Sequence, residues 1–212
     1  FYGGVNACKR VTIALLMAVG VIEGTKYLTK HGLVEAAIEH SCESGAFDMA
    51  LEVAGHTMPK KLPEIHLKHA LFLEDDERFR EAEEEFLKAN KPTEAIDMYV
   101  HQQDWVSAVR VAEQYEPAAI SDIYIAQAKL IAESGDYHKA EELYLAASRP
   151  ELALEMYTEK ELWQEASRLA QLHLPHRAAE VMQMYSTAQA RQGKGNSRND
   201  FMSMGRSLEQ NK

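Results

Sequence analysis

The fold is decided by two consecutive stretches, PEIHLKHALFLEDDERFREAEEEFLKANKPTEAIDMYVHQQDWVSAVRVAEQYEPAAI (63–120) and SDIYIAQAKLIAESGDYHKAEELYLAASRPELALEMYTEKELWQEASRLAQLHLPHRA (121–178). They align without a gap, and 16 of the 58 aligned positions are identical. Trp105 falls on Trp163, and two pairs of prolines also coincide. Self-similarity at a fixed period is the signature of a repeat architecture. We therefore interpret 63–178 as two tandem copies of one 58-residue module.

The apolar spacing within each module is typical of short helices, because apolar residues recur three and four positions apart. Pro92 suits the first turn of a helix, where no backbone N–H is needed. Asp104 precedes a helical pattern as an N-cap, and Asn90 and Ser148 stand where the chain must turn. In the first module the predicted helices span roughly 64–75, 78–89, 92–101 and 104–115.

A large residue or a proline followed three positions later by alanine recurs along the chain. Residues three apart share a helical face, so the small methyl lets the next helix approach while the ring fills the space between hairpins. A lone hairpin cannot bury both faces and stacks on its neighbour. We predict an all-α fold, a right-handed α-solenoid of short hairpins similar to tetratricopeptide (TPR-like) repeats. The predicted packing positions are Phe79, Ala82, Trp105, Ala108, Tyr137, Ala140, Trp163 and Ala166.

Upstream of residue 60 the pattern is looser. The pair Leu33/Ala36 lies there, and the interval from Ala36 to Ala50 is one position longer than most of the later intervals between such alanines. Two further hairpin elements with glycine turns and one long break are predicted in this part: 24–39 with Gly32, 44–55 with Gly45, and the break 55–63.

The helical array is predicted to cover 1–185. Residues 186–198 are polar and rich in glycine and serine, which is typical of a flexible linker. Residues 199–212 regain apolar side chains and are predicted to start a further helix. The apolar run 11–22 is shorter than the ~20 residues that span a bilayer. It is interpreted as a core helix rather than a signal peptide or a transmembrane segment.

The composition excludes several classes of protein. The formal net charge of −10 argues against a nucleic-acid binder, which carries a basic face. Glycine and proline total 17 of 212 residues, too few for an all-β sandwich with its many turns. Two cysteines make no disulfide framework, which indicates free thiols in a reducing compartment.

No constellation of residues is typical of catalysis. The Gly-Lys-Gly at 193–195 lacks the spacing of a phosphate-binding loop. His66 and His69 have the spacing of two ligands on one helix, but they align with Tyr124 and Gln127, which favours a structural role. We predict no catalytic, cofactor-binding or metal-binding residue. A helical-repeat enzyme is the disfavoured alternative.

Acidic residues crowd 74–77 and 81–85. They are interpreted either as a docking patch for a basic helix or as a solvated face with acids near a helix N-terminus. Arg110 and Arg168 recur and are predicted to stack on rings or to pair with acids. The candidate partner surface comprises Glu81, Glu84, Glu85, Asp97, His101, Glu155 and Glu159.

The stretch 63–105, with the strings IHLKHALFLED and HQQDW, resembles the TPR-like helical region of a known family, the largest (one-hundred-seventy-two-kilodalton) subunits of intraflagellar transport complex B. The resemblance continues through VRVAEQYEP (109–117), RPELALEMY (149–157) and GLVEAAIEHSCESGAFDMALEVA (32–54). It departs at Glu77 and Asn90, where glycine is expected at turns. The chain is thus expected to be a fragment of that helical region.

This resemblance implies a non-enzymatic scaffold or adaptor without cofactors, required for cilium assembly and ciliary cargo transport. The implied partners are other intraflagellar transport subunits in a large hetero-oligomeric complex, with kinesin-2 and dynein-2 motors nearby and no nucleic acid. The implied location is the cilium or flagellum, the basal body and the cytoplasm. The alternative is a solenoid arm of a vesicle coat or tethering complex, clathrin-like or vacuolar sorting, which is built from similar short hairpins.

Overall fold

The computed structural model describes residues 20–191, and every regular element among them is helical. The chain divides into two compact units, one ending at Pro117 and the other beginning at Ala118. Within each unit consecutive helices pack against each other, so the predicted all-α fold of helical hairpins is confirmed. The helices are α1 Val21–Lys30, α2 Val34–Glu43, α3 Phe47–Thr57, α4 Leu62–Asp75, α5 Phe79–Lys88, α6 Pro92–His101 and α7 Trp105–Tyr115, then α8 Ile120–Glu133, α9 Tyr137–Ala146, α10 Pro150–Glu159, α11 Trp163–His173 and α12 Ala178–Arg191.

The predicted helices of the first module match α4 to α7 to within two residues at each end. Their termini follow the local chemistry of the sequence. Pro92 is the first residue of α6, and the Asp104 carboxylate accepts a hydrogen bond from the Ser107 N–H at 3.2 Å, capping α7.

The repeat period extends further than the sequence comparison indicates. The helices α1, α2, α3 and α4 begin one full period before α5, α6, α7 and α8, and the corresponding helices have equal lengths of 10, 10, 11 and 14 residues. The same spacing separates α5 from α9 and α8 from α12. The period therefore covers the whole described chain, and the looser pattern inferred upstream of residue 60 is wrong.

The upstream pattern looks irregular in the sequence because the buried alanine of α2 is Ala37 and not Ala36. Ala37 is fully buried, whereas Ala36 is partly exposed. Ala37 is the fourth residue of α2, as Ala95 is of α6. With Ala37 in this position, the interval to Ala50 equals the interval from Ala95 to Ala108 in the next repeat.

The break at 55–63 is not unusual either. Three short 3₁₀ turns, each starting with proline and separated by the same period, connect the 11-residue and 14-residue helices: Pro59–Lys61, Pro117–Ala119 and Pro175–Arg177.

The turns between helices place one residue of each in the left-handed region of backbone space. At corresponding positions stand Gly32, Asn90 and Ser148, with φ of 73°, 59° and 58°. The turns predicted at Asn90 and Ser148 are confirmed. Glu77 and Gln103 adopt φ of 60° and 59° at positions where other repeats have Gly135 and Gly45.

Glycine at these strained positions is expected to stabilise the protein. Glu77→Gly and Gln103→Gly should each raise the free energy of unfolding by about 0.5–1 kcal/mol, because a Cβ in the left-handed region costs ~1–2 kcal/mol and the gain is partly offset by the greater freedom of glycine in the unfolded chain. Urea denaturation of the full chain measures the change. Gly135→Glu is the matched control and should destabilise; a lower midpoint for Glu77→Gly would contradict the argument.

The core of each unit is built on small residues. Ala82, Ala108, Ala140 and Ala166, the predicted alanines, are fully buried. The predicted rings Phe79, Trp105, Tyr137 and Trp163 are partly buried, and Tyr137 packs against the buried core of the second unit. The most deeply buried large side chains, with less than 2% exposure, are others, among them Tyr157, Phe86, Ile65 and Leu169.

Three of the predicted segments lie partly or wholly outside residues 20–191. Helix α12 continues through Arg191, so the predicted linker 186–198 is wrong over its first six residues. The remainder of that linker, the predicted helix start at 199–212 and most of the apolar run 11–22 lie outside the described residues. Among residues 20–191, no helix combines the length and the apolar character needed to cross a bilayer.

Candidate interaction surface and repeated buried triads

The acidic cluster of α5 divides between the surface and the interior. Glu81 and Glu84 are exposed, as the predicted partner surface requires. Glu85 is only 7% exposed and is therefore not a surface residue. Its carboxylate accepts hydrogen bonds from Lys88 Nζ at 2.6 Å and from His66 Nδ1 at 2.7 Å. A carboxylate without such partners is costly inside a protein. Glu85 is therefore committed to these contacts within the first unit.

The electrostatics of Glu85 follow from these contacts. Burial alone would raise the pKa of the carboxyl, but the hydrogen bonds from Lys88 and His66 outweigh it and hold the pKa of Glu85 below its ordinary value. His69 Nδ1 lies 3.2 Å from the same carboxylate without a hydrogen bond. The two histidines thus face one acid, and no group of three or more potential ligands within 20–191 is arranged to hold a metal ion.

The remaining predicted surface residues lie on the third helix of each module. Asp97 and His101 are exposed on α6, and Glu155 and Glu159 are exposed on α10. In each of these 10-residue helices, the two residues are the sixth and the tenth. The residues at the same two positions of α2 are Glu39 and Glu43. Both are exposed acids that the sequence comparison missed, and extending the period by one more repeat would have found them.

Not every exposed acid is free to meet a partner. Glu81 receives two hydrogen bonds from the Arg78 guanidinium, at 2.9 and 2.5 Å. Exposed pairs of this kind contribute little to stability, about 0–1 kcal/mol. The Arg78 guanidinium nonetheless neutralises the charge of Glu81. Of the predicted surface acids of the first unit, Glu84 and Asp97 are the exposed ones without such a pair.

A buried triad joins three consecutive helices of the first unit. Glu83 on α5 is 9% exposed. Its carboxylate accepts two hydrogen bonds from Arg110 on α7, at 2.9 and 2.6 Å, and one from the Tyr99 hydroxyl on α6, at 2.7 Å. Hydrogen bonds to a charged group are roughly twice as strong as neutral ones. The prediction that Arg110 pairs with an acid is confirmed.

The second unit contains the same triad one repeat period later. Glu141 on α9 accepts a hydrogen bond from the Tyr157 hydroxyl at 2.6 Å and one from Arg168 at 2.5 Å. In the first repeat the Glu and Tyr positions are held by Thr25 and Ser41, whose hydroxyl oxygens are 2.8 Å apart and buried. Ser41 donates its hydrogen to the Ala37 carbonyl, so Thr25 is the donor in this pair.

The triads hold their tyrosines protonated. Burial, together with the hydrogen bond to Glu83, raises the pKa of Tyr99 far above its usual range, and burial with the bond to Glu141 does the same for the pKa of Tyr157. For Glu83, burial works toward a higher pKa, but Arg110 and Tyr99 outweigh it and keep the pKa of the carboxyl low. Through these hydrogen bonds the Glu83 carboxylate links α5 to α6 and α7.

The raised tyrosine pKa values predict sensitivity to alkaline pH. The folded chain keeps protons that unfolded tyrosine releases near pH 10, so the stabilisation is complete below about pH 10 and is lost as the pH rises toward the folded pKa. In Tyr99→Phe/Tyr157→Phe, the urea midpoint should fall less between about pH 9 and pH 11 than in the wild type. The half-exposed Tyr115→Phe is the control; an identical alkaline slope in the double variant and the wild type would contradict the assignment.

The amino-acid sequence of the chain is similar to those of curated intraflagellar transport proteins. The chain is 47% identical over 195 residues, 92% of its length, to "Intraflagellar transport protein 172" of Chlamydomonas reinhardtii. It is 40% identical over 90% of its length to the homologue of Homo sapiens and 34% identical over 90% to "Intraflagellar transport protein osm-1" of Caenorhabditis elegans. The chain is homologous to a segment of intraflagellar transport protein 172. No family model matches it.

The similarity to intraflagellar transport protein 172 has a defined extent. The chain spans about 11% of the length of these relatives. The aligned part covers about nine-tenths of this chain, so it includes most of the repeats described above. The resemblance inferred from the strings in 32–157 is therefore confirmed, and it concerns one segment of intraflagellar transport protein 172.

Proposed function

We propose that this chain is part of a non-enzymatic scaffold of intraflagellar transport complex B that serves cilium assembly and ciliary cargo transport. The observation that carries the proposal is the 34–47% identity to proteins named for intraflagellar transport, over about nine-tenths of the chain. Its partners are other transport subunits, with kinesin-2 and dynein-2 motors nearby. Its location is the cilium or flagellum, with the basal body as the site of assembly.

The distribution of polar groups supports a scaffold over an enzyme. The buried acids Glu83, Glu85 and Glu141 each accept at least two hydrogen bonds from side chains of the protein, including at least one from a neighbouring helix. The unpaired charge lies outside, on exposed helix faces such as those of Asp97 and Glu155. A rigid interior with an acidic exterior suits recognition of basic segments of other proteins.

The names of the relatives favour this role over a vesicle coat or tethering arm. Similar hairpins occur in both classes, so the fold alone does not separate them. The difference is testable by location: a scaffold of intraflagellar transport is concentrated in cilia, and a coat or tether on endosomes or the Golgi.

The test reverses exposed acids in the full-length protein expressed in ciliated cells. One variant combines Glu84→Lys with Asp97→Lys, and another combines Glu155→Lys with Glu159→Lys. We expect recovery of the other transport subunits to fall by roughly fivefold or more in at least one variant, because like charges would meet at the contact. The matched control is Glu52→Lys with Glu113→Lys, two exposed acids outside the predicted surface.

Two outcomes would count against the proposal. Undiminished recovery in both variants would reject the acidic surface as the contact. Accumulation of the wild-type protein on endosomes or the Golgi, without ciliary enrichment, would favour the coat or tethering alternative.

A further inference from the structure

A groove between α2 and α4 in the first unit combines apolar and acidic side chains. It has a volume of about 620 Å³ and lies over Phe47, the first residue of α3. Leu71 and Phe72 of α4 line it and are 48% and 44% exposed. Large exposed apolar side chains in a cluster mark a binding site more often than isolated ones do.

The apolar side chain of Phe72 packs on a buried aromatic ring beneath the groove. The Phe72 ring lies 5.4 Å from the ring of Phe47, and Phe47 stacks on His69 at 4.5 Å. Phe47 itself is 5% exposed. The exposed edge of Phe72 is thus held in place by a buried ring, so a ligand meets a preformed surface and loses little conformational freedom in the protein.

The rim of the groove is acidic. Glu39 and Glu43 on α2 and Asp75 on α4 are exposed and line it. None of these three carboxylates forms an ion pair among the described residues. Among the described residues that line the groove, Lys68 is the only lysine or arginine, and its Nζ is 3.0 Å from the Glu64 carboxylate, one helical turn away on the same helix. Unpaired negative charge therefore surrounds the apolar floor.

The chemistry of the groove excludes two other uses. Burial raises the pKa of the Cys42 thiol in its wall, and this effect outweighs the opposing effect of the nearby Lys68, so the thiol is held neutral. It is therefore not a reactive thiol. A second copy of this chain would bring its own acidic surface, at a net charge of −10, against Glu39, Glu43 and Asp75, and like charges at an interface are unfavourable.

We infer that the α2–α4 groove binds a basic amphipathic helix of a partner protein, with its apolar residues on Leu71 and Phe72 and its lysine or arginine residues beside Glu39, Glu43 and Asp75. In the helix-in-groove mode, the apolar face of a bound helix lies in an apolar groove. The groove residues Lys68, Leu71, Phe72 and Asp75 are three and four positions apart, so they share one face of α4 and form a continuous wall. The inference deepens the proposed scaffold function and rests on it for the nature of the partner.

The experiment measures binding of the full 212-residue chain to a fluorescently labelled synthetic helical peptide with a leucine and phenylalanine stripe flanked by arginine and lysine. A matched peptide carries glutamate in place of each basic residue. We expect the basic peptide to bind with a dissociation constant of roughly 100 µM or tighter, more weakly as salt is raised. The acidic peptide should not bind measurably.

Variants locate the site. Leu71→Asp, and separately Glu43→Lys/Asp75→Lys, should weaken binding of the basic peptide at least tenfold, roughly the effect of losing one central contact. The controls are Val106→Asp, an apolar residue that is 81% exposed elsewhere in the unit, and Glu84→Lys on α5. Each control should bind within about twofold of the wild type. Circular dichroism and urea midpoints establish that each variant is folded.

Three results would overturn the inference: equal binding of the acidic peptide, equal weakening by the control variants, or a concentration-dependent dimer that Leu71→Asp disrupts. The last result would assign the groove to a second copy of the chain. A failure of this inference is distinguishable from a failure of the proposed function. The peptide experiment changes residues of the α2–α4 groove, whereas recovery of transport subunits from cells is measured with variants of acids on α5, α6 and α10.

Discussion

Replacing Tyr157 with alanine is expected to lower the free energy of unfolding by about 3–5 kcal/mol, the largest effect of any single substitution considered. The side chain is completely buried, so truncation leaves a cavity lined by residues of the second unit. It also removes a donor to Glu141, whose carboxylate then depends on Arg168 alone. A domain is stable by only about 5–15 kcal/mol, so this loss is a large fraction of the total.

Tyr157→Phe separates the two contributions. It keeps the ring and loses the hydroxyl, so we expect a smaller loss of about 1.5–3 kcal/mol, the contribution of a hydrogen bond to a charged group. Urea denaturation of the full chain measures both variants, and Tyr115→Ala, at a half-exposed ring, serves as control. If Tyr157→Ala were no more destabilising than Tyr115→Ala, the tyrosine would not be the packing centre of its unit.

The second large effect concerns the carboxylate at the centre of the first triad. Glu83→Ala should cost roughly 3 kcal/mol, because it leaves the buried Tyr99 hydroxyl without its acceptor and breaks a partly buried ion pair. Arg110 is half exposed and can turn to water, which limits the loss. The neighbouring Glu84→Ala is the matched control and should change stability by less than about 0.5 kcal/mol.

A double-mutant cycle identifies the origin of that cost. In Glu83→Ala/Tyr99→Phe no hydroxyl remains to be left unpaired, so the combined loss should be smaller than the sum of the two single losses by about 1–2 kcal/mol. Strict additivity would mean that the two residues act independently. That result would contradict the role of Glu83 as the shared acceptor.

Much of this architecture could be predicted from local sequence alone. The bounds of α4 to α7, the cap at Asp104 and the turns at Asn90 and Ser148 depend on residues within a few positions of each other. Interactions of this range are encoded directly in the chain, since proline, aspartate and small turn residues act on their own neighbourhood. The period was visible for a related reason, because the same local solution recurs at a fixed spacing.

The sequence repeat shows that the residues of the triads recur, but it does not show that they are hydrogen-bonded to one another. Glu83, Tyr99 and Arg110 each recur one period later as Glu141, Tyr157 and Arg168. Their separations of 16 and 27 residues along the chain, however, match no helical spacing. Only the packing of three successive helices brings the groups within hydrogen-bond distance. The first repeat was hidden for a different reason: Thr25 and Ser41 stand where the later repeats have glutamate and tyrosine, and sequence comparison does not equate these residues.

The sequence by itself determined where each helix of 63–120 begins and ends, that the module repeats, and that the exterior is acidic, because these properties belong to neighbouring residues or to their sum. The tertiary structure alone decided that Glu85 is buried while Glu84 is exposed, that the predicted rings are only partly covered, and that α2 and α4 form a groove across α3. The physical reason is that burial and clefts arise where helices distant in sequence meet. Because a helix has about 3.6 residues per turn, successive residues point to different sides of it, and only the packing of the neighbouring helices decides which side is covered.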